Sequence, residues 1–271
     1  MNSAVKTMDD IILKVEDLNI EFFDHTKPET VVFDFDLELR KGEIVGLVGE
    51  SGSGKSMSAL AIAGLLSRKD MKKRGKIMFD GIDILNCDRD TLRSIQGCRI
   101  GMIFQEPLTC LNPVLKIYNQ VEEPLRIHKN LSKEERYEKV LNALKDVELE
   151  NPELVMNQYP HELSGGMRQR VMIATAMINE PEILIADEPT TALDVTIQAQ
   201  IVKLLQKLNR KKGTSILFIS HDLSLVSKLC ERVLVMKGGY IVENGSTDEI
   251  FNHPKEEYTK ALIGAIPRID I

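Results

Sequence analysis

The 271-residue chain has no apolar stretch approaching the roughly 20 residues that a membrane-spanning helix needs. Near its start stand Asp9 and Asp10, where a signal peptide would be basic. Any membrane role is therefore expected to be peripheral. An excess of positive charge is also missing: 35 Lys and Arg against 41 Asp and Glu leave a net −6, which argues against a broad face for nucleic acid or anionic lipid. Cysteine is sparse and scattered. Cys87, Cys98, Cys110 and Cys230 form no CxxC pair, so reduced thiols in a cytosolic protein are expected rather than zinc or disulfides. There is no internal repeat and no low-complexity tract. What remains is a chain long enough to bury a sizeable interior.

The most informative stretch is Gly49-Glu50-Ser51-Gly52-Ser53-Gly54-Lys55-Ser56, a complete GxxxxGK[ST] match. The apolar run 44–48 before it reads as a buried strand, and 57–66 after it as a helix. Glycines in that position let backbone N–H groups turn inward into a nest, and the helix start adds further N–H groups and a partial positive charge. This suits a polyphosphate, with Lys55 reaching the outer phosphates and the Ser56 hydroxyl completing the coordination of Mg²⁺. Further on, Ile183-Leu184-Ile185-Ala186 runs into Asp187-Glu188, so a buried strand delivers two carboxylates to the edge of the sheet where ligands sit in open α/β folds. Asp187 is expected to hold Mg²⁺ through water, and Glu188 to orient the water that attacks the γ-phosphoryl group. In Leu163-Ser164-Gly165-Gly166-Met167-Arg168-Gln169, the Ser-Gly-Gly run opens a second helix whose N-terminus also suits an anion.

Around these motifs, 12–23 and 31–39 read as strands joined by a loop over 24–30, and Asp80-Gly81 as a hairpin turn. Residues 99–105 form another strand candidate. From 106 to 160 the pattern is helical, with a capping box at Ser132–Glu135 and Pro124, Pro152 and Pro160 as punctuation. Strands and helices then alternate to Met236. Gly238-Gly239 makes a turn, and Ser246–Glu249 caps a short closing helix. The expected fold is an α/β phosphate-loop core with a mostly parallel sheet, an N-terminal antiparallel β-subdomain and an inserted helical subdomain. As one domain over 1–271, its core is 1–105 with 161–250, its helical subdomain is 106–160, continuing into the helix that follows Ser164, and 251–271 form a short helix and tail.

Here the motifs resemble, in order, those of ABC transporter ATP-binding subunits: Walker A at 49–56, the Q-loop Gln105, the signature 163–169, Walker B at 183–188, the D-loop Ala192-Leu193-Asp194 and the switch His221. The similarity runs from about residue 12 to residue 267. The resemblance implies ATP and Mg²⁺ as ligands. Lys55 and the loop from Gly49, Glu50, Ser51, Gly52, Ser53 and Gly54 would bind the phosphates. Ser56, Gln105 and Asp187 would hold Mg²⁺, Glu188 would be the general base, and His221 would hydrogen-bond the γ-phosphate. Phe22, with Phe23 as its neighbour and alternative, would stack on adenine. In the family two subunits pack head to tail, so Ser164, Gly165, Gly166 and Gln169 of one would close over the ATP of the other, with Asp194 linking the sites. His25, His128, His161 and His253 match no motif position.

Longer runs, 104–113, 159–174 and 186–200, are similar to the oligopeptide, dipeptide and nickel importers, in which Met167 marks the first of two paired ATPases. The implied partners are a distinct second ATPase subunit (or, in isolation, a second copy), two transmembrane permease subunits and an external solute-binding protein, with no nucleic acid. The helical subdomain and the loop after Gln105 would dock onto the permeases at the cytoplasmic face of the cell membrane. The solute, peptide or nickel or another chelated metal, stays open. Competing readings are a small-molecule kinase, which leaves 163–169 and His221 without tasks, and a non-transport ABC ATPase acting on nucleic acid, against which the net charge stands. Cys110 replaces a serine common in relatives. Longer relatives carry a cysteine-rich extension with an iron–sulfur cluster, and with no cysteine after Cys230 no cluster is expected. The purified protein should show no bound iron and no cluster absorption in the visible; either would overturn this.

Overall fold

The computed structural model describes residues 10–24, 27–67, 70–191 and 193–265. In chain order its elements are β1 (Ile11–Asp24), β2 (Lys27–Arg40), β3 (Ile44–Val48), α1 (Lys55–Ile62), β4 (Met71–Phe79), β5 (Ile82–Asp83), α2 (Arg89–Ile95), β6 (Ile100–Ile103), α3 (Pro107–Cys110), α4 (Ile117–His128) and α5 (Lys133–Asp146). Then come α6 (Pro152–Asn157), a 3₁₀ turn (Pro160–Glu162), α7 (Gly165–Met177), β7 (Ile183–Asp187), α8 (Val195–Lys212), β8 (Ser215–Ile219), α9 (Leu223–Leu229), β9 (Arg232–Lys237), β10 (Tyr240–Ser246), α10 (Thr247–Asn252) and α11 (Glu257–Gly264). They fall into two units, residues 1–92 with 221–271, and residues 93–220.

The first unit contains the antiparallel sheet, in the order β2-β1-β4-β5. Phe35, Leu37 and Leu39 of β2 are buried and Asp34 and Asp36 exposed, because alternate side chains of a strand face opposite sides and only one side packs inward. The register of β1 and β2 runs on to Asp24 opposite Lys27. The loop expected over 24–30 is therefore mostly strand, since pairs such as Phe22 with Glu29 extend the ladder; His25 and Thr26 lie outside the described residues. At Asp80-Gly81 the turn is as expected: Phe79 pairs with Ile82, and φ values of 46° and 80° give both central residues the positive φ of a type I′ hairpin. β3, buried along its whole length, pairs in parallel with β9, which turns through Gly238-Gly239 into antiparallel β10. Ser246 and Glu249 close a capping box on α10.

In the second unit β8, β7 and β6 pair in parallel. Every residue of β7 and β8 is buried, which is why Ile183–Ala186 and Ile216–Ile219 are continuous apolar runs rather than alternations. Ser132 and Glu135 form the expected capping box on α5. The Arg136 guanidinium donates to the buried carboxylate of Glu122, joining α5 to α4. Pro124 differs from expectation: it lies inside α4 rather than ending a helix. An interior proline costs about 3 kcal/mol. Burial of Ile117, Val121 and Leu125 along one side of α4, at about 1.5–3 kcal/mol each, outweighs that. Pro152 and Pro160 do begin α6 and the 3₁₀ turn.

Candidate functional site

In the first unit the chain leaves β3 at Val48 and enters a loop shaped by glycine. Gly49, Gly52 and Gly54 have φ of 150°, 80° and 104°, values that side chains disfavour. At two of them space also forbids a side chain. A Cβ on Gly49 would stand 2.0 Å from the Met236 carbonyl oxygen, and one on Gly54 2.8 Å from that of Val31. No side chain caps α1 behind Gly54, so its first N–H groups are placed for an anion. Lys55 is 4% exposed, and its Nζ donates to the carbonyl oxygens of Gly49 and Glu50, both at 2.8 Å, and to Ser53 Oγ at 3.4 Å. The ammonium is thus folded over the loop. Ser53 is buried and Ser56 half-buried beside it.

The same unit holds Phe22, half-buried on β1 opposite Glu29 and Met71, and Phe23, 45% exposed. It also holds the exposed His221, ahead of Asp222, whose carboxylate caps α9 by accepting the Ser224 N–H at 2.8 Å.

In the second unit β7 delivers Asp187, 6% exposed. Glu188 follows with φ 45°, a conformation that non-glycine residues adopt only when their surroundings impose it. Its N–H donates to the Ile219 carbonyl at 2.9 Å, which fixes the backbone against β8. Its Oε2 accepts from Gln105 Nε2 and from Thr191 Oγ1, each at 2.9 Å. Two motif residues 83 positions apart are thereby brought into contact. Sequence reasoning missed Thr191. The available signal was its place three residues beyond Glu188, where one turn of chain returns a hydroxyl to the carboxylate.

Ser164 caps α7, its Oγ accepting the Met167 N–H at 3.3 Å, and is exposed. A Cβ on Gly166 would lie 3.0 Å from Ile197, whereas one on Gly165 would make only ordinary contact, 3.6 Å from Leu193. Packing inside the chain thus restricts Gly166 and leaves the exposed Gly165 unrestricted. Gln169, one turn deeper in α7, is 1% exposed, and its amide nitrogen finds no partner among the described residues. Asp194 is exposed and caps α8, accepting the Ile197 N–H at 2.9 Å; Ala192 lies outside the described residues.

A strand-end loop shaped by glycines with a lysine anchored over it, in one unit, and a carboxylate held by a glutamine, in the other, are features that suit a nucleoside triphosphatase. Residues 32–191 match the family model described as ABC transporter. The chain belongs to the ABC transporter family. It is 45% identical over 257 residues to the oligopeptide transport ATP-binding protein OppD of Lactococcus lactis subsp. cremoris (strain SK11), covering 94% of this chain and 76% of that one. To OppD of Escherichia coli (strain K12) it is 46% identical over 261 residues, covering 96% and 77%. The cassette also superposes on the dimeric ATP-binding cassette MJ0796 in a post-hydrolysis state bound to ADP and Pi, with a TM-score of 0.77, 32% identity and coverage of 87% and 98%. For cbiO1 from Clostridium perfringens, part of the cbiONQ transporter complex, the TM-score is 0.76 at 31% identity, with 90% and 92% covered.

Charge-assisted hydrogen bonds contribute about 1.5–3 kcal/mol each, so in the Lys55→Ala cassette ATP affinity should fall by about ten-fold or more. Equilibrium titration with a fluorescent ATP analogue measures this, and unchanged affinity would remove Lys55 from the phosphate site.

Proposed function

We propose that the chain is the ATP-binding and ATP-hydrolysing subunit of an importer that carries peptides across the cytoplasmic membrane. The observation that carries this reading is the 45–46% identity, over 94–96% of the chain, to proteins named for oligopeptide transport. The same names favour peptide over nickel or another chelated metal. Neither a small-molecule kinase nor a non-transport ATPase is favoured by any feature described above.

The donor set suits MgATP. Ser56, Gln105 and Asp187 offer only oxygen ligands of the kind a hard cation takes, and Mg²⁺ bound by them would neutralise charge developing on the phosphates. Lys55 and amides of the 49–56 loop hold the phosphates, and Phe22, or Phe23 beside it, stacks on the adenine. Gln105 donates to Glu188 through Nε2, so its amide oxygen is the atom left for the metal. Glu188, held by Gln105 and Thr191, takes the proton of the attacking water, and His221 hydrogen-bonds the γ-phosphate.

A second ATPase subunit completes each site. Ser164, Gly165 and Gly166 close over the facing nucleotide, with Asp194 linking the two sites. The exposed Gly165, free of packing constraint within its own chain, supports this. Among the described residues no helix is long and apolar enough to cross a membrane. The cassette is placed at the cytoplasmic face by two permease subunits, which receive the helical subdomain, 106–160, and the loop after Gln105, where Val114 and Leu115 are exposed. An external solute-binding protein delivers the peptide.

General-base catalysis typically contributes about 10²–10⁴-fold. Glu188→Gln should therefore bind ATP as the parent does and hydrolyse it about 100-fold more slowly or worse, in a phosphate-release assay; undiminished turnover would take Glu188 out of the role of base.

A further inference from the structure

α11 lies beyond every motif named above, yet it touches the phosphate loop. The Tyr258 hydroxyl accepts the Glu50 N–H at 3.1 Å, across 208 positions of sequence. The contact is braced on several sides. Lys237 Nζ stands 4.7 Å from the centre of the Tyr258 ring, a cation–π arrangement that orients the ring. Glu243 of β10 accepts the N–H groups of Lys255 at 2.8 Å and Glu256 at 3.2 Å, which fixes the start of α11, and Thr259, next to Tyr258, is 1% exposed. Burial pushes the Tyr258 hydroxyl up from its ordinary pKa, so the phenol stays neutral.

The Glu50 N–H and the Gly49 carbonyl belong to one planar peptide unit. Tyr258 holds the first, and Lys55 Nζ holds the second at 2.8 Å. The two side chains therefore pin opposite ends of the same plane, directly before the glycines whose φ values shape the nest. Ser53 is held separately, its carbonyl accepting the Gly239 N–H at 3.0 Å. When Lys55 turns its ammonium toward a phosphate chain, its hold on the Gly49 carbonyl weakens, and the hydroxyl of Tyr258 is what keeps the peptide from rotating.

We infer that Tyr258 is a positioning residue for nucleotide binding, which fixes the Gly49–Glu50 peptide plane while Lys55 changes partners. This rests on the reading of 49–56 as the phosphate loop. Loss of the hydroxyl frees the plane, and a loop that must be ordered by its ligand binds that ligand more weakly. The chemical step is untouched, because its base, Glu188, is held by Gln105 and Thr191 in the other unit.

The test is Tyr258→Phe in the full chain, which keeps the ring over Lys237 and removes only the hydroxyl. Titration with a fluorescent ATP analogue should show affinity about two- to ten-fold weaker, the range of one net hydrogen bond. KM for MgATP should rise in step, with kcat unchanged. Amide exchange at Glu50 should quicken, while that in the interior of α1 stays as in the parent. Unchanged affinity and KM, or a fall in kcat at constant KM, would overturn the inference. Lys55→Ala, measured in parallel, separates the two ideas. If it loses ATP while Tyr258→Phe does not, only the role of Tyr258 fails; if it too keeps ATP, the phosphate-loop reading fails.

Discussion

An amide that is to hold a phosphate cannot at the same time close a helix or a sheet, so a phosphate loop must take its shape from something other than its own hydrogen bonds. Two N–H groups of the loop are already engaged, that of Glu50 by Tyr258 and that of Ser53 by the Glu50 carbonyl. The surrounding structure supplies the order. β3 is buried from end to end and delivers the loop at a fixed point, the glycines reach φ values that side chains would not tolerate, and Lys55 ties the first two carbonyls together from within. Residues from distant sequence then hold the loop, Gly239 at Ser53 and Tyr258 of α11 at Glu50.

The second unit meets a related constraint with a side chain. β7 ends at two carboxylates, and a strand alone would send them to opposite faces. Glu188 escapes that alternation through a positive φ, a strain of about 1–3 kcal/mol that persists only where neighbours enforce it. Ile219 on β8 enforces it through the backbone, and Gln105 and Thr191 hold the carboxylate. In both units an uncommon backbone conformation follows a fully buried parallel strand.

Features whose cause is local were legible in the sequence. The spacing of 49–56 is dictated by the reach of a short loop between strand and helix, and the capping boxes at Ser132 and Ser246 close within one turn. The apolar run at 183–186 records burial on both faces. What escaped was decided by packing. Pro124 stays inside α4 because the buried side of that helix outweighs one lost bond. The β1–β2 hairpin extends through residues that read as loop, since pairing across the ladder favours strand there. Tyr258 meets Glu50 from 208 positions away, and no periodicity announces such a contact.

The central claim is that each chain carries two incomplete nucleotide sites, one around Lys55 and one at the start of α7, which become whole only when a second ATPase faces the first. Sedimentation of the subunit with its paired ATPase, with and without MgATP, and repeated with Gly165→Ala, tests it most directly, since a methyl at that position is accommodated inside the chain. The expected result is a two-chain species that forms on adding MgATP and is lost in the variant together with hydrolysis. Steady ATP hydrolysis by a species that stays single-chain at every nucleotide concentration would contradict it.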